Sequence, residues 1–313
     1  MGKLLDFIII LIILGIAGFL FIKFYELSPQ EKQDLNIFIK QAELPEANAS
    51  SELEMFIPNM RFDTSQLSYF FSDCDESKQQ EMLKAFSEIS EKTKVITFYN
   101  ADSQENAKIK IFCSSEKQQK RNNTFVAGEG GPDSLINLSL YPLIESGQIY
   151  LYGLKYQEQC DYPVVELHEL MHVFGFNHIE DKSSILYPYV SCDQKITDEM
   201  ISELTKIYSL SAKADLLIAN ASASKGGVYL NFQISTQNRG LIKASNVELE
   251  IYDNSNNKKI GNFSLRELEP GETSTITLQN YMLPSRNTDN LKFKVKTSTL
   301  EYFYENNEIS ASI

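Results

Sequence analysis

Five residues of one short run constrain this chain more than anything else in it. His168, Glu169, His172, Gly175 and His178, in HELMHVFGFNH, use all 3 of its histidines. On a helix, residues four apart share a face, so His168 and His172 can offer two imidazole nitrogens to one metal ion. Glu169 stands at the edge of that face, close enough to hold a water against the metal without occupying it. Glycine at 175 permits the positive φ that ends a helix and swings the chain back, so His178 can arrive as a third ligand from another direction. Three protein ligands leave a fourth position open, as a catalytic zinc needs and a structural zinc avoids.

An isolated HExxH occurs on many ordinary helices; the extended spacing with the glycine and third histidine is far more specific. Its surroundings agree. After Pro163 come Val164, Val165, Leu167, Leu170, Met171, Val173 and Phe174, which leave few polar positions beyond Glu166 and the motif. The pattern predicts a mostly buried helix.

The spacing resembles the zinc-binding and catalytic signature of the metzincin metallopeptidases. Downstream, Ser184-Ile185-Leu186-Tyr187-Pro188 resembles the methionine-turn of the matrixin branch, whose usual form is S-x-M-Y-P. Leu186 replaces the methionine. The resemblance implies that this side chain forms a hydrophobic floor beneath the metal, and leucine fills a similar volume. Tyr187 would help to shape the site. Pro188 stands where astacin- and serralysin-like members carry tyrosine, so the matrixin-like subtype fits better.

The implied fold for residues 55–211 is α+β: a twisted mixed sheet with long helices, the zinc helix ending at Gly175. Strands are predicted at 67–72, 95–99, 107–113, 139–144 and 148–153. A helix at 77–92 carries Met82, Leu83, Phe86 and Ile89 at helical spacing, and a closing helix at 196–210 has Thr197 as N-cap. The glycines of 128–132 (GEGGP) read as a loop.

A length of 313 residues with 42% hydrophobic content supports more than one folded unit. The uncharged run FIIILIILGIAGFLFI at 7–22 predicts an N-terminal transmembrane signal-anchor over residues 1–25; a cleaved signal peptide is the competing reading, without a clear A-x-A-like site. Residues 26–54 are polar, contain Pro29 and Pro45, and read as a stalk. Nothing there resembles the matrixin cysteine-switch propeptide.

The 4 cysteines suggest two disulfides, Cys74 with Cys113 and Cys160 with Cys192, other pairings remaining open. Together with sequons at Asn48, Asn122, Asn137, Asn220 and Asn262, they favour an extracytoplasmic location for residues 26–313. A net charge of −13 disfavours nucleic acid and anionic lipid surfaces as partners.

Beyond Leu210 the pattern changes. Alternating apolar residues recur at 216–218, 228–234, 247–251, 276–278 and 291–295 between Asn, Gly, Ser and Pro turns, the pattern of a small β-sandwich. NRGLIKASNVELEI, LEPGE and YENNE resemble the CARDB-type immunoglobulin-like modules of prokaryotic surface proteins, over residues 213–313. Such a module implies a spacer or a docking surface for a partner.

The resemblances together imply a membrane-anchored zinc endopeptidase with one catalytic zinc, a calcium requirement being left open. His168, His172 and His178 would be the ligands and Glu169 the general base. A peptide or protein substrate would lie extended along an edge strand upstream of the zinc helix, its specificity pocket formed by residues 183–192. The rival readings are an inactive metzincin-like surface scaffold and a binding module with a structural metal.

Overall fold

Among the described residues, strands with alternating apolar residues and three amphipathic or buried helices build the first half of the chain. A computed structural model describes residues 53–116, 118–119, 125–138, 140–153 and 160–313. The expected membrane helix over 1–25 and all but the end of the expected stalk lie outside these residues. Among the described residues no helix is long and apolar enough to cross a membrane.

β1 (Gln66–Ser72) leads into α1 (Glu76–Thr93), β2 (Thr97–Asn100) and β3 (Ile109–Cys113). β4 (Gln118–Gln119) and β5 (Phe125–Val126) make a minor antiparallel pair, followed by β6 (Gly128–Ile136) and β7 (Leu143–Leu151). The main sheet runs β2-β1-β3-β7-β6. Its first four strands are parallel, and β6 pairs antiparallel with β7 at the edge. Ile109 and Ile111 of β3 and Ile149 and Leu151 of β7 point to one buried face.

Helices cover that face. Asp75 caps α1, accepting the Lys78 amide at 2.9 Å, and Lys94 closes it in the left-handed region at φ 58°. Met82, Ala85, Phe86 and Ile89 are buried; Leu83, expected in the core, lies one helical step off that face and is 42% exposed. α2 (Val164–Val173) packs on α1, β6 and β7, and α3 (Asp198–Tyr208) starts at Thr197, whose hydroxyl accepts the Met200 amide.

Three expectations need correction. Residues 128–132 are not a loop but the start of β6. The strands expected at 139–144 and 148–153 are one strand, β7, because Glu145, Ser146 and Gly147 pass opposite a register shift in β6 instead of breaking the ladder. Among the described residues only α1, at 18 residues, is a long helix; α2 has 10 and α3 has 11.

The second half is all β. β8 (Leu216–Gly226), β9 (Tyr229–Asn238) and β12 (Thr273–Met282) form one sheet in the order β12-β9-β8. β10 (Glu248–Asp253), β11 (Lys258–Ser264), β13 (Asn290–Lys296) and β14 (Glu308–Ser312) form the other, β11-β10-β13-β14. Leu230, Phe232 and Ile234 of β9 and Leu291, Phe293 and Val295 of β13 are buried at every second position, as in a sandwich core. Where the halves meet, Leu138, Leu143 and Leu241 form a small buried cluster flanked by Tyr141 and Tyr302. Buried Arg61 donates from Nη1 to the carbonyls of Ile207 at 2.6 Å and Leu210 at 2.8 Å, satisfying the C-terminal end of α3.

Candidate metal centre

All ten residues of α2 are buried, including His168, Glu169 and His172. The helix ends as its sequence requires. The amides of Gly175 and Phe176 donate to the carbonyls of His172 (2.9 Å) and Met171 (3.1 Å), the paired bonds of a Schellman cap. Gly175 sits at φ +94°, and a Cβ there would also stand 2.2 Å from Met60 Sδ. Only glycine makes this turn. The same cap turns the Phe176 carbonyl toward the helix, where it accepts from His172 Nδ1 at 2.7 Å.

His168 is oriented by a different segment. Its Nδ1 donates to the Ile185 carbonyl at 2.6 Å, and Ile185 is held in turn by its own amide, which donates to the Lys195 carbonyl at 2.8 Å. With both Nδ1 atoms donating, the Nε2 lone pairs of His168 and His172 are free to face a ligand. The three Nε2 atoms lie 3.0 Å (168–172), 3.1 Å (172–178) and 3.2 Å (168–178) apart. Such mutual spacing suits donors gathered on one cation, and an all-imidazole set suits zinc. Burial pushes the pKa of His168 down to about 4 and lowers that of His172 too, which keeps both rings in the neutral, ligating form. The structure brings together the three rings expected as ligands, an arrangement consistent with a zinc site.

Glu169, 4% exposed, borders the same cleft. β6 lies against it with almost no clearance. A Cβ on Gly128 would stand 2.7 Å from Glu169 Cγ, and one on Gly130 would stand 2.3 Å from the Glu169 carbonyl oxygen. These glycines are in a strand because helix and strand backbones touch there. Sequence reasoning missed both; the alternation Gly-Glu-Gly at 128–130, well before the motif, was the available signal.

The cleft has a volume of about 780 Å³, and its lining includes Glu129 and Gly130 of β6 together with Pro188, Tyr189 and Val190. Phe56 stacks over His172 at its rim, ring centroids 6.0 Å apart. Leu186 is fully buried, and its carbonyl accepts the Ile179 amide at 3.1 Å, fixing the chain just after His178. Tyr187 is half-buried against Tyr189 and is not among the lining residues; Pro188 is. The wall depends on a residue the sequence did not single out. Gln194, 1% exposed, accepts the Ser191 amide at 3.0 Å and donates to the Tyr189 carbonyl at 2.8 Å.

Both disulfides have the expected pairing. Cys74–Cys113 ties the end of β1 to the end of β3, and Cys160–Cys192 ties the approach to α2 to the end of the cleft wall. Of the sequon asparagines, Asn137, Asn220 and Asn262 are exposed; Asn48 and Asn122 lie outside the described residues.

Comparison with known proteins divides the chain at the same place. No curated protein matches it. Among solved structures, it is similar to the CARDB domain of a Pyrococcus furiosus protein solved in complex with di-metal ions. Identity is 14%, coverage is 32% of this chain and 87% of that one, and the TM-score is 0.27. It is equally similar to a domain of a putative cell surface protein from Methanosarcina acetivorans, at 14% identity, 32% and 90% coverage and a TM-score of 0.27. Neither likeness bears on the chemistry of this chain. Family models match both halves: matrixin over residues 61–209 and CARDB over residues 213–310. The two matches follow one another directly, the first ending at residue 209 and the second beginning at residue 213.

Proposed function

We propose that this protein is a zinc-dependent endopeptidase acting on extracellular or cell-surface proteins. The observation that carries the reading is the convergence of three Nε2 atoms within 3.0–3.2 Å of one another, beside a buried glutamate in a cleft. His168, His172 and His178 would hold the metal. Bound there, zinc supplies Lewis-acid polarisation of the scissile carbonyl and lowers the pKa of water.

The chain's own residues do the rest. Glu169 accepts a proton from the attacking water as the new C–O bond forms, then delivers it to the leaving nitrogen as the C–N bond breaks. Its low exposure and the backbone of β6 against it hold the carboxylate in one place, so little reorganisation is needed during proton transfer. β6 is the edge strand of the sheet and forms one wall of the cleft, so an extended substrate segment can add to it as a further strand. Pro188, Tyr189 and Val190 then face the substrate side chains.

Two disulfides support an oxidising, extracytoplasmic compartment, with the apolar run at 7–22 as the membrane anchor and the sandwich as a spacer or docking module. Zinc content and cleavage of a generic unfolded protein, compared between wild type and Glu169→Ala, test the activity. Retained zinc with hydrolysis reduced by several powers of ten is expected. Equal turnover would remove Glu169 from the mechanism, and zinc-loaded wild type without turnover would favour the inactive scaffold.

A further inference from the structure

The sandwich holds a second gathering of donors, all of them oxygen. Asp215 precedes β8 and Glu301 lies between β13 and β14; they are 4% and 3% exposed. A backbone bridge between Ala214 and Glu301 brings their segments together, and Glu301 Oε2 accepts the Leu216 amide at 2.8 Å. Two amides complete the group. Asn306 Nδ2 donates to Asp215 Oδ1 at 3.2 Å, and Asn307 Nδ2 donates to Glu301 Oε1 at 2.9 Å.

The other atom of each amide is the informative one. Asn306 Oδ1 and Asn307 Oδ1 are buried and have no hydrogen-bond partner, and Asn307 as a whole is 2% exposed. Each Oδ1 shares a carbon with a nitrogen already bonded to one of the carboxylates, so these orphaned acceptors sit beside the two anions. Buried acceptors without a donor are rare in folded proteins and call for a reason, such as an ion.

The carboxylates lack positive charge as well. Glu250, equally buried in the same sandwich, has Lys259 at 3.1 Å and Lys296 at 2.5 Å. Asp215 and Glu301 have no ion pair among the described residues. Arg239 is engaged by Gln237 at 3.0 Å and Lys294 by Glu308 at 3.2 Å. Burial raises the pKa of both carboxyls, and Asp215 adds to the rise at Glu301.

We propose that Asp215, Glu301, Asn306 and Asn307 form a binding site for a hard divalent cation, calcium in particular. Carboxylate and amide oxygens without nitrogen or sulfur donors select against zinc. Calcium accepts an irregular shell of carboxylate and side-chain carbonyl oxygens. Magnesium holds several of its waters, for which a site this enclosed is poorly suited. No residue is shared with the histidine centre, so the proposal stands independently of peptidase activity. A cation here ties residues 301–307 to the first strand of the sandwich. Tyr302, within that segment, packs tilted against Tyr141, ring centroids 5.7 Å apart, and donates to the Ser211 carbonyl at 3.1 Å. Cation binding therefore reinforces the contact between the two halves.

The test uses the full zinc-loaded chain in calcium-stripped buffer. Calorimetric titration with calcium chloride is compared between wild type, Asp215→Asn and Glu301→Gln. Each variant should bind one calcium fewer per chain, and its melting temperature should lose the calcium-dependent rise. Without calcium, Asp215→Asn should melt no lower than wild type, because it removes an uncompensated buried charge. Equal calcium stoichiometry in wild type and both variants overturns the proposal. Should the variants fail to fold, hydrogen exchange on wild type decides: calcium should slow exchange at Leu216 and across 301–307, and unchanged exchange there overturns the site. Terbium luminescence sensitised by Tyr302 and Tyr304 should be quenched by added calcium far more than by equal magnesium; equal quenching overturns the choice of calcium.

Discussion

Gly130 and Glu169 touch backbone to backbone: a methyl group on the glycine would stand 2.3 Å from the glutamate's carbonyl oxygen. The edge strand proposed to receive substrate and the helix that carries the proposed base are thereby held in direct contact. Gly130→Ala must push the strand off the helix. Overpacking of this kind costs roughly 1–3 kcal/mol, and activity should fall at least about tenfold because small displacements of a catalytic group are costly. Gly131→Ala is the control, since a Cβ at that position meets nothing within 4 Å. Thermal melts and peptide turnover of the two variants check the difference; indistinguishable variants would show that the contact is dispensable.

Leu186 offers a second test of packing around the site. It is fully buried, and its neighbour Ile185 supplies the carbonyl that orients His168. Leu186→Met should be nearly silent. Leu186→Ala should open a cavity and lower stability by about 2–5 kcal/mol, with zinc affinity falling as His168 loses its fixed acceptor. Chemical denaturation and zinc titration measure both, and an Ala variant with unchanged stability would contradict the packing described.

Gln194 should affect selectivity more than metal binding. Its side-chain amide holds the Ser191 amide and the Tyr189 and Lys182 carbonyls, none of them on a histidine. Gln194→Leu leaves those backbone groups to find other partners, at about 1–3 kcal/mol. The expected result is unchanged zinc content with a raised KM, or a shifted preference across a peptide library. Unaltered kinetics would mean that the wall stands without it.

The metal-free protein should weaken in mild acid. His168 titrates near 4 in the fold against an ordinary value of 6.5, because burial disfavours its charged form. Between those values the unfolded chain binds more protons than the folded one. Stability is therefore fully present above about pH 6.5 and declines as pH falls through about 4. Urea midpoints at pH 7 and pH 5 check this, and equal midpoints would argue against a buried neutral ring.

Much of the centre was legible because its spacing is helical. The i, i+4 histidines, the glycine at φ +94° and the third histidine each follow from local geometry, as does the Thr197 cap. What escaped the sequence depends on partners far along the chain. Gly128 and Gly130 look like loop residues until α2 is placed against them. The unbroken β7 needs β6 beside it to absorb the shift near Ser134. β11 and β14 escaped because β11 has only half-buried or exposed residues and β14 buries Ala311 alone, leaving little apolar alternation to read. Gln194 is an ordinary polar residue in sequence, and only its burial marks it.

Cys160–Cys192 brackets the whole centre, closing a separation of 32 residues that contains α2, the cap, His178 and the turn. Replacing both cysteines by serine releases that loop in the unfolded chain. By the loop-entropy argument the loss is roughly 3–4 kcal/mol, measured values scattering widely around it. Cys74–Cys113, at a separation of 39, should contribute a similar amount but through the sheet, since it joins the ends of two neighbouring parallel strands. The two losses should differ in their consequences. Without Cys160–Cys192, the cleft wall from Pro188 to Val190 is freed from the approach to α2, so turnover should fall further than stability alone explains. Without Cys74–Cys113, turnover of the remaining folded protein should stay near that of wild type. Activity per folded molecule, corrected by the denaturation curve of each variant, separates the two effects. Equal activity losses in both variants would show that the cleft does not depend on the bridge beside it.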